Sequence, residues 1–197
     1  HKPNEAKAVT LAFVTDKVEA WYDYLQRKRV GIPYSLRPER NKAHESFVAL
    51  DPEGYFLEFE RFNPHIENYQ LLPRLRNIRP MRTNTTGHLT VTATVLWLYY
   101  KKLSQSSRFF IDQLGLEQLV DQGFAQVYAA GSTSFIGPVE AGAGLHDYAP
   151  TKLVTVGLIT DNLPGWRKHF QAIPQFGVQS LAVEDVAGRL DFFFGSD

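Results

Sequence analysis

The chain contains no cysteine and one methionine among 197 residues, and its 21 basic side chains are balanced by 21 acidic ones. The lack of cysteine excludes disulfide scaffolds, thiol catalysis and Cys-ligated zinc. A zero net charge without a basic run lacks the electrostatic footprint of a nucleic-acid-binding protein. No apolar run approaches the roughly 20 residues that a membrane span needs, and the N-terminal HKPNEAK does not resemble a signal peptide. We therefore expect a soluble globular protein without nucleic-acid or membrane partners, with the cytoplasm as its default location.

What the chain does have is a repeat. Residues 7–21, KAVTLAFVTDKVEAW, align without a gap with residues 152–166, KLVTVGLITDNLPGW. Each copy predicts a strand followed by a helix, because an alternating apolar run precedes a helical stripe. Asp16 followed by Glu19 predicts an N-cap and a capping box for a helix over about 17–28. A third unit of the same kind lies between the copies, with a strand near 95–100, a helix over about 104–113 and strands at 125–130 and 133–139.

The first unit closes with a predicted hairpin. The sequence Asp51-Pro52-Glu53-Gly54 is typical of a type I turn and joins FVAL to YFLEFERF. Along the last strand Phe56, Glu58 and Glu60 share one face, because side chains alternate along a strand. Residues 63–86, rich in Pro, Arg and Asn and without clear periodicity, are predicted to form a linker between domains.

Three features carry a family resemblance: the repeated strand and capped helix, the segment FFIDQLGLE and the closing DPEGYFLEFERF. In these features the chain resembles the glyoxalase/bleomycin-resistance/extradiol-dioxygenase group, the vicinal oxygen chelate superfamily. The resemblance implies an α+β fold in which paired βαβββ modules form curved mixed sheets, with the helices on the convex face. Since the family pairs its modules, three modules imply a tandem protein. Residues 1–62 would be the second module of a first domain whose first module is not in the chain, and 63–86 the linker. Residues 87–197 would be a second domain built from modules 87–140 and 151–197, with its last strand missing.

The family's metal site takes its ligands from the first and last strands of each module, on the concave side of the sheet. The matching first-strand positions hold no histidine, glutamine or glutamate; they are Thr10, Val95 and Thr155. In the last strands Glu58 matches the family carboxylate, whereas the second module offers Ile136 or Gly137. A zinc ion needs about three protein ligands. We therefore expect no metal in the 87–197 domain and leave Glu58 as the one candidate metal ligand and catalytic residue.

Two further features of the concave face each allow two interpretations. Glu58 and Glu60 could act as a paired acid and base, or Glu60 could lie in water at the frayed end of its strand. Trp97 and Tyr99 could form an aromatic wall for a planar or cationic ligand, or they could simply fill the interior.

The predicted function is binding of a small molecule in a concave, aromatic-lined pocket, in the manner of antibiotic-sequestering proteins. The residues expected to contact the ligand are Thr10, Phe56, Glu60, Val95, Trp97, Tyr99 and Thr155. The alternative is a metal-dependent lyase, isomerase or dioxygenase of the glyoxalase type, similar to lactoylglutathione lyase or to a dioxygenase, using Glu58. A third hypothesis gives one domain a purely structural role in dimerisation. The resemblance also implies a homodimer or an exchange of modules between chains.

Overall fold

The computed structural model describes residues 7–38, 41–85, 87, 89–151, 154–173 and 189–191. The chain divides into two compact units, residues 1–150 and 151–197. Within the described ranges no helix is both long and apolar enough to cross a lipid bilayer.

The first unit contains two modules and a connecting segment. The first module has β1 (Val9–Val14), α1 (Val18–Arg27), β2 (His44–Leu50) and β3 (Phe56–Phe62). The connecting segment has a 3-10 turn (Ile66–Asn68), α2 (Leu71–Arg76), β4 (Met81–Arg82) and β5 (Thr90–Val91). The second module has β6 (Ala93–Tyr100), α3 (Leu103–Arg108), a π-helical turn (Phe109–Gln113), β7 (Gln118–Asp121), β8 (Gln126–Ala129) and β9 (Ser134–Glu140).

Both modules contribute to one seven-stranded mixed sheet with the order β2-β3-β1-β6-β9-β8-β7. The two first strands, β1 and β6, pair antiparallel at the centre, and each pairs in parallel with the last strand of its own module. The two sides of the β1–β6 pair are therefore similar in arrangement, with two further strands beyond β1 and three beyond β6. The predicted α+β class with a large mixed sheet is confirmed. The predicted hairpin of β2 and β3 is also confirmed, and in its turn the Gly54 amide donates to the Asp51 carbonyl at 3.1 Å.

The module pairing differs from the predicted domain division. Residues 1–62 do not stand apart from 87–140, because β1 and β6 are hydrogen-bonded along their whole length from Val9 to Val14. The unit boundary falls at 150/151, inside the segment predicted to be one domain. Similarity between modules shows that they share a structure, whereas the choice of partner depends on contacts far apart in sequence, which the repeat does not contain.

The segment 63–86 also differs from the predicted linker. Leu71 at the start of α2 is completely buried, and Leu72, Leu75 and Ile78 pack against the same apolar cluster. That cluster includes Ala12, Val14, Val95, Trp97 and Tyr99 from the central strands. The segment therefore covers one face of the sheet. Burying a leucine contributes about 1.5–3 kcal/mol, which explains why the segment folds back.

Helix α1 covers the other face. Val18 and Trp21 of α1 are buried in a second cluster with Phe47 and Phe59, and the Trp21 indole N–H donates to the Thr90 carbonyl at 3.0 Å. This is the convex, helix-covered face that the resemblance implied. The face bearing Thr10, Ala12 and Val14 is the concave one.

The predicted N-cap of α1, Asp16, is wrong by one residue. The N-cap of α1 is Lys17, whose side chain makes no capping bond, and Glu19 instead binds Arg61 of β3 at 2.6 Å. The guanidinium of Arg61 holds the pKa of Glu19 below its usual value. Glu19 therefore serves a contact between α1 and β3, a tertiary partner that the local capping pattern could not reveal.

The second unit contains β10 (Gly157–Ile159), α4 (Leu163–Gln171) and β11 (Arg189–Asp191), with β10 and β11 paired antiparallel. Asn162 caps α4, its side-chain oxygen accepting from the Gly165 amide at 3.1 Å. The expectation that the last strand of this module is missing from the chain stays a prediction; residues 174–188 and 192–197 lie outside the described residues.

Candidate ligand-binding site

The central strands bring most of the predicted site residues onto one face of the sheet. In register, Phe56 lies beside Thr10, Thr10 beside Trp97, and Trp97 beside Gly137. In the next row Glu58 lies beside Ala12, and Ala12 beside Val95. Directly opposed residues point to the same face. The predicted concave positions in the first unit therefore do share the concave face. Thr155 lies in the second unit, exposed and before the start of β10.

The expected aromatic wall is packed inside the core. Trp97 is 8% exposed and Tyr99 4%, and both belong to the cluster closed by α2. The Tyr99 hydroxyl is 3.2 Å from the Thr10 hydroxyl, which is completely buried. The Phe56 ring stacks on His146 at 4.6 Å, and His146 meets the edge of Tyr99 at 4.8 Å. Together these contacts close the concave face around Thr10.

A divalent ion of the kind that the resemblance implies does not fit these positions. The hydroxyl of Thr10 is engaged by Tyr99, and Val95 is an apolar side chain with no exposed surface. Gly137, the concave position in β9, lies under the indole of Trp97, since a Cβ there would fall 2.0 Å from Cε3 of the ring. Of the ligand positions that the resemblance implied in the first unit, Glu58 alone carries a metal-binding side chain. Within the described part of the chain, no group of three or more His, Asp or Glu side chains could hold a metal ion.

Glu58 and Glu60 form a buried carboxyl pair. Glu58 is 9% exposed and Glu60 1%, so Glu60 does not lie at a frayed, solvated strand end. Burial raises the pKa of Glu58 to about 7, a rise that the hydroxyl of Ser46 and the indole N–H of Trp97 partly oppose. Burial and the neighbouring charge of Glu58 raise the pKa of Glu60. The pair therefore retains protons at a pH where ordinary carboxyls have lost them.

An open cleft of about 430 Å³ lies along β2; we call it the β2 cleft. Its lining includes Ser35, Arg37, Lys42, His44, Glu45, Ser46, Glu67 and Phe124. The cleft joins residues of β2, at one end of the sheet, to the β7–β8 turn at the other end. The sheet must therefore curve around it. Ser46 connects the cleft to the carboxyl pair, since it lines the cleft, lies opposite Glu60 in the β2–β3 register and contacts Glu58.

Sequence reasoning missed the residues of this cleft. The hairpin register could have revealed Ser46, because the turn at Asp51–Gly54 places it opposite Glu60. No local signal marks Arg37, Lys42 or Phe124, which come together only through the curvature of the sheet. A second open cleft, of about 410 Å³, lies between the connecting segment and β7, and Ile66, Tyr69 and Gln118 line it.

No protein-family model and no curated protein matches the chain. Solved structures similar to it include the following three. A Bacillus subtilis protein provisionally assigned as a dioxygenase is 16% identical, with a TM-score of 0.45, over 69% of this chain and 41% of that one. Glyoxalase I from Zea mays is 18% identical, with a TM-score of 0.42, over 71% of this chain and 44% of that one. Methylmalonyl-CoA epimerase from Mycobacterium tuberculosis is 9% identical, with a TM-score of 0.41, over 71% of this chain and 95% of that one.

The chain thus spans less than half the length of the dioxygenase and glyoxalase structures. A likeness of this extent concerns the general fold and says nothing about the site. The chemistry of the site rests on the residues of this chain alone.

Proposed function

We propose that the protein binds a small organic molecule in the β2 cleft, without a metal ion. The observation that carries the proposal is the open cleft lined by Ser46, a residue that lies opposite Glu60 in the β2–β3 register and contacts Glu58. A cleft of about 430 Å³ lies within the range of roughly 300–1,000 Å³ that small-molecule sites occupy.

The lining of the cleft suits an amphipathic ligand. Phe124 is 42% exposed at the cleft and offers an aromatic surface for an apolar body. Ser46 and His44 offer polar groups from β2. Burial lowers the pKa of His44, with the charge of Lys42 acting in the same direction, so the imidazole can accept as well as donate a hydrogen bond near neutral pH.

The position of the proposed site differs from the pocket expected around Trp97 and Tyr99. Those two rings support the site from behind, because the Trp97 indole lies against Glu58, while α2 covers the surface that they would have offered. The proposed ligand contacts are therefore the outer residues of β2 and of the β7–β8 turn.

The test is a screen of small aromatic and amphipathic molecules by protein-observed NMR. Binding should shift resonances of His44, Ser46 and Phe124. A Ser35→Trp variant should abolish binding, because the new ring would fill the mouth of the β2 cleft, whereas Gln118→Trp would fill the other cleft and should leave binding unchanged. Binding that survives Ser35→Trp and is lost in Gln118→Trp would place the site elsewhere and overturn the proposal.

Metal analysis separates this proposal from the enzyme alternative. We expect no stoichiometric divalent ion in protein purified without chelators. A bound ion that is lost in Glu58→Ala would overturn the proposal and would support a metal-dependent lyase, isomerase or dioxygenase instead.

A further inference from the structure

The β2 cleft follows the edge of a strand and not one face of the sheet. Four consecutive residues of the chain, from Ala43 to Ser46, line it. Because successive side chains of a strand point to opposite faces, a cleft on one face would be lined by every second residue only. β2 is also the terminal strand in the order of the seven-stranded sheet. A ligand in the cleft therefore meets the backbone of β2 as well as its side chains.

The chain itself places an extended segment on the second half of this edge. The Val48 amide donates to the Tyr34 carbonyl, and the Leu50 amide donates to the Gly31 carbonyl, each at 2.9 Å. Tyr34 and Val48 form an antiparallel bridge. Next to the cleft, the edge of β2 thus already binds extended backbone by the hydrogen bonds of a strand.

The first half of the edge directs the same backbone groups towards the cleft. In an antiparallel pair, the N–H and C=O groups of alternate residues point to the same side of the strand. The Ala43 carbonyl accepts from the Asn63 amide at the end of β3 at 2.8 Å, whereas the Val48 amide bonds on the outer side. By this alternation His44 and Ser46 direct their N–H and C=O groups outward, and within the described part of the chain no backbone group bonds them there. Such an edge is a template for a further strand.

The unpaired stretch of the edge is short. It starts with β2 at His44 and ends at Ser46, because Tyr34 occupies the edge at Val48. After Tyr34 the chain leaves the edge, and Ser35 lines the cleft instead. A strand longer than this stretch would meet Tyr34 at one end and run past the start of β2 at the other.

The lining of the cleft selects a ligand by hydrogen bonds and apolar contact more than by charge. Arg37 and Lys42 line the cleft together with Glu45 and Glu67, so both signs of charge are present. Phe124, which is 42% exposed, provides an apolar surface in the same cleft. A neutral backbone with an apolar side chain suits both features.

We infer that the ligand of the β2 cleft is a short free peptide of about three residues, which adds to His44–Ser46 as an antiparallel strand and packs an apolar side chain on Phe124. This inference rests on the proposed function, because it assigns a chemical class to the ligand of that site. Two opposed residues of an antiparallel pair exchange both of their N–H···O bonds. Since the strands run in opposite directions, the first peptide residue pairs with Ser46 and the third with His44. The N–H group of the middle residue points away from β2.

The test uses blocked tripeptides, acetyl-X-Ala-X-amide, in which X is Phe, Leu, Lys or Glu. Their dissociation constants are measured by NMR titration of the whole chain. The tightest peptide is then N-methylated either on its third residue, which removes an N–H group that faces β2, or on its middle Ala, which removes an N–H group that faces away. The second peptide is the matched control, because it carries the same modification on a nitrogen that makes no bond to the protein.

Methylation of the third residue should weaken binding about tenfold or more, because it removes the hydrogen bond to the His44 carbonyl and leaves that group unsatisfied. Methylation of the middle residue should change the affinity by less than about threefold, because no hydrogen bond is lost. The bound peptide should also slow hydrogen exchange of the His44 and Ser46 amides by about tenfold or more. Ser46→Pro removes an amide at an edge position where proline is tolerated, and should weaken the unmethylated peptide as well. Gln118→Trp, at the other cleft, should leave its affinity unchanged.

Equal affinities for the two methylated peptides would overturn the inference and leave the proposed function standing. Unprotected His44 and Ser46 amides in the peptide complex would have the same meaning. So would a failure of all four tripeptides to bind while another molecule of the screen binds in the cleft. If neither the tripeptides nor the screened molecules bind there, both the inference and the proposed function fail.

Discussion

Raising the pH should destabilise the folded protein through the carboxyl pair of Glu58 and Glu60. Both carboxyls have a raised pKa in the folded state, so between their unfolded and folded pKa values the folded chain holds more protons than the unfolded chain. Stability then falls as pH rises. The contribution is fully present below pH 4.5, the ordinary value for glutamate, and is lost as the pH passes about 7 and above.

The size of the effect follows from the pKa of Glu58. A rise from 4.5 to about 7 corresponds to about 3 kcal/mol, because each pKa unit is worth about 1.4 kcal/mol. For a chain of 150–250 residues this is a fall in melting temperature of about 6–12 °C. Glu60 acts in the same direction. Since the pKa values of the part-buried His44 and His146 are lowered, these two residues act in the opposite direction as pH rises through 6.5.

The assay is the free energy of unfolding, measured with urea from pH 5 to pH 8.5, for the wild type and for Glu60→Gln. The free energy of unfolding of Glu60→Gln should fall much less with rising pH, because the substitution removes one titrating carboxyl and also the negative charge that faces Glu58. Both proteins keep the two histidines, so the difference between their curves isolates the pair. Glu140→Gln, which removes an exposed carboxylate, should retain the wild-type slope. Parallel curves for the wild type and Glu60→Gln would refute the reasoning.

Two further predictions concern the closed concave face. Leu71→Ala should lower the free energy of unfolding by about 2–5 kcal/mol in urea denaturation, because the side chain is completely buried. Ile66→Ala, at a residue 81% exposed in the same segment, should change the free energy of unfolding by less than about 0.5 kcal/mol. Equal effects of the two substitutions would restore the linker interpretation. Gly137→Ala should cost about 1–3 kcal/mol and alter the tryptophan fluorescence, because the new Cβ displaces the ring of Trp97. A Trp97→Leu background should remove most of that cost, and an undiminished cost there would show that the ring is not the cause.

Local patterns in the sequence predicted those features that depend on neighbouring residues. Alternation placed Phe56, Glu58 and Glu60 on one face, and the Asp51–Gly54 turn predicted the hairpin whose register carries that face. The helix prediction over about 17–28 matches α1 at Val18–Arg27. These features follow from backbone geometry within a few residues, which is why the amino-acid order is enough to reveal them.

Other parts of the site were hidden from such patterns. The composition of residues 63–86, rich in Pro, Arg and Asn, predicted a linker. The segment instead buries Leu71, because the concave face of the sheet offers this side chain an apolar surface. The burial of Glu60 likewise depends on tertiary structure, because the exposure of a strand end is set by the segments that cover it. No residue near Glu60 in sequence carries that information.

The sequence by itself determined the repeated strand–helix units and the placement of two carboxyl groups on one strand face, because each depends on short-range periodicity. The α+β class followed from the family resemblance that those units carry. Tertiary structure alone decided that β1 pairs with β6, that the indole of Trp97 fills the space above Gly137, and that Arg37 and Phe124 meet across one cleft. These contacts join residues about 40 to 90 positions apart, and such pairs are selected by the shape and burial of the whole sheet, which no local pattern encodes.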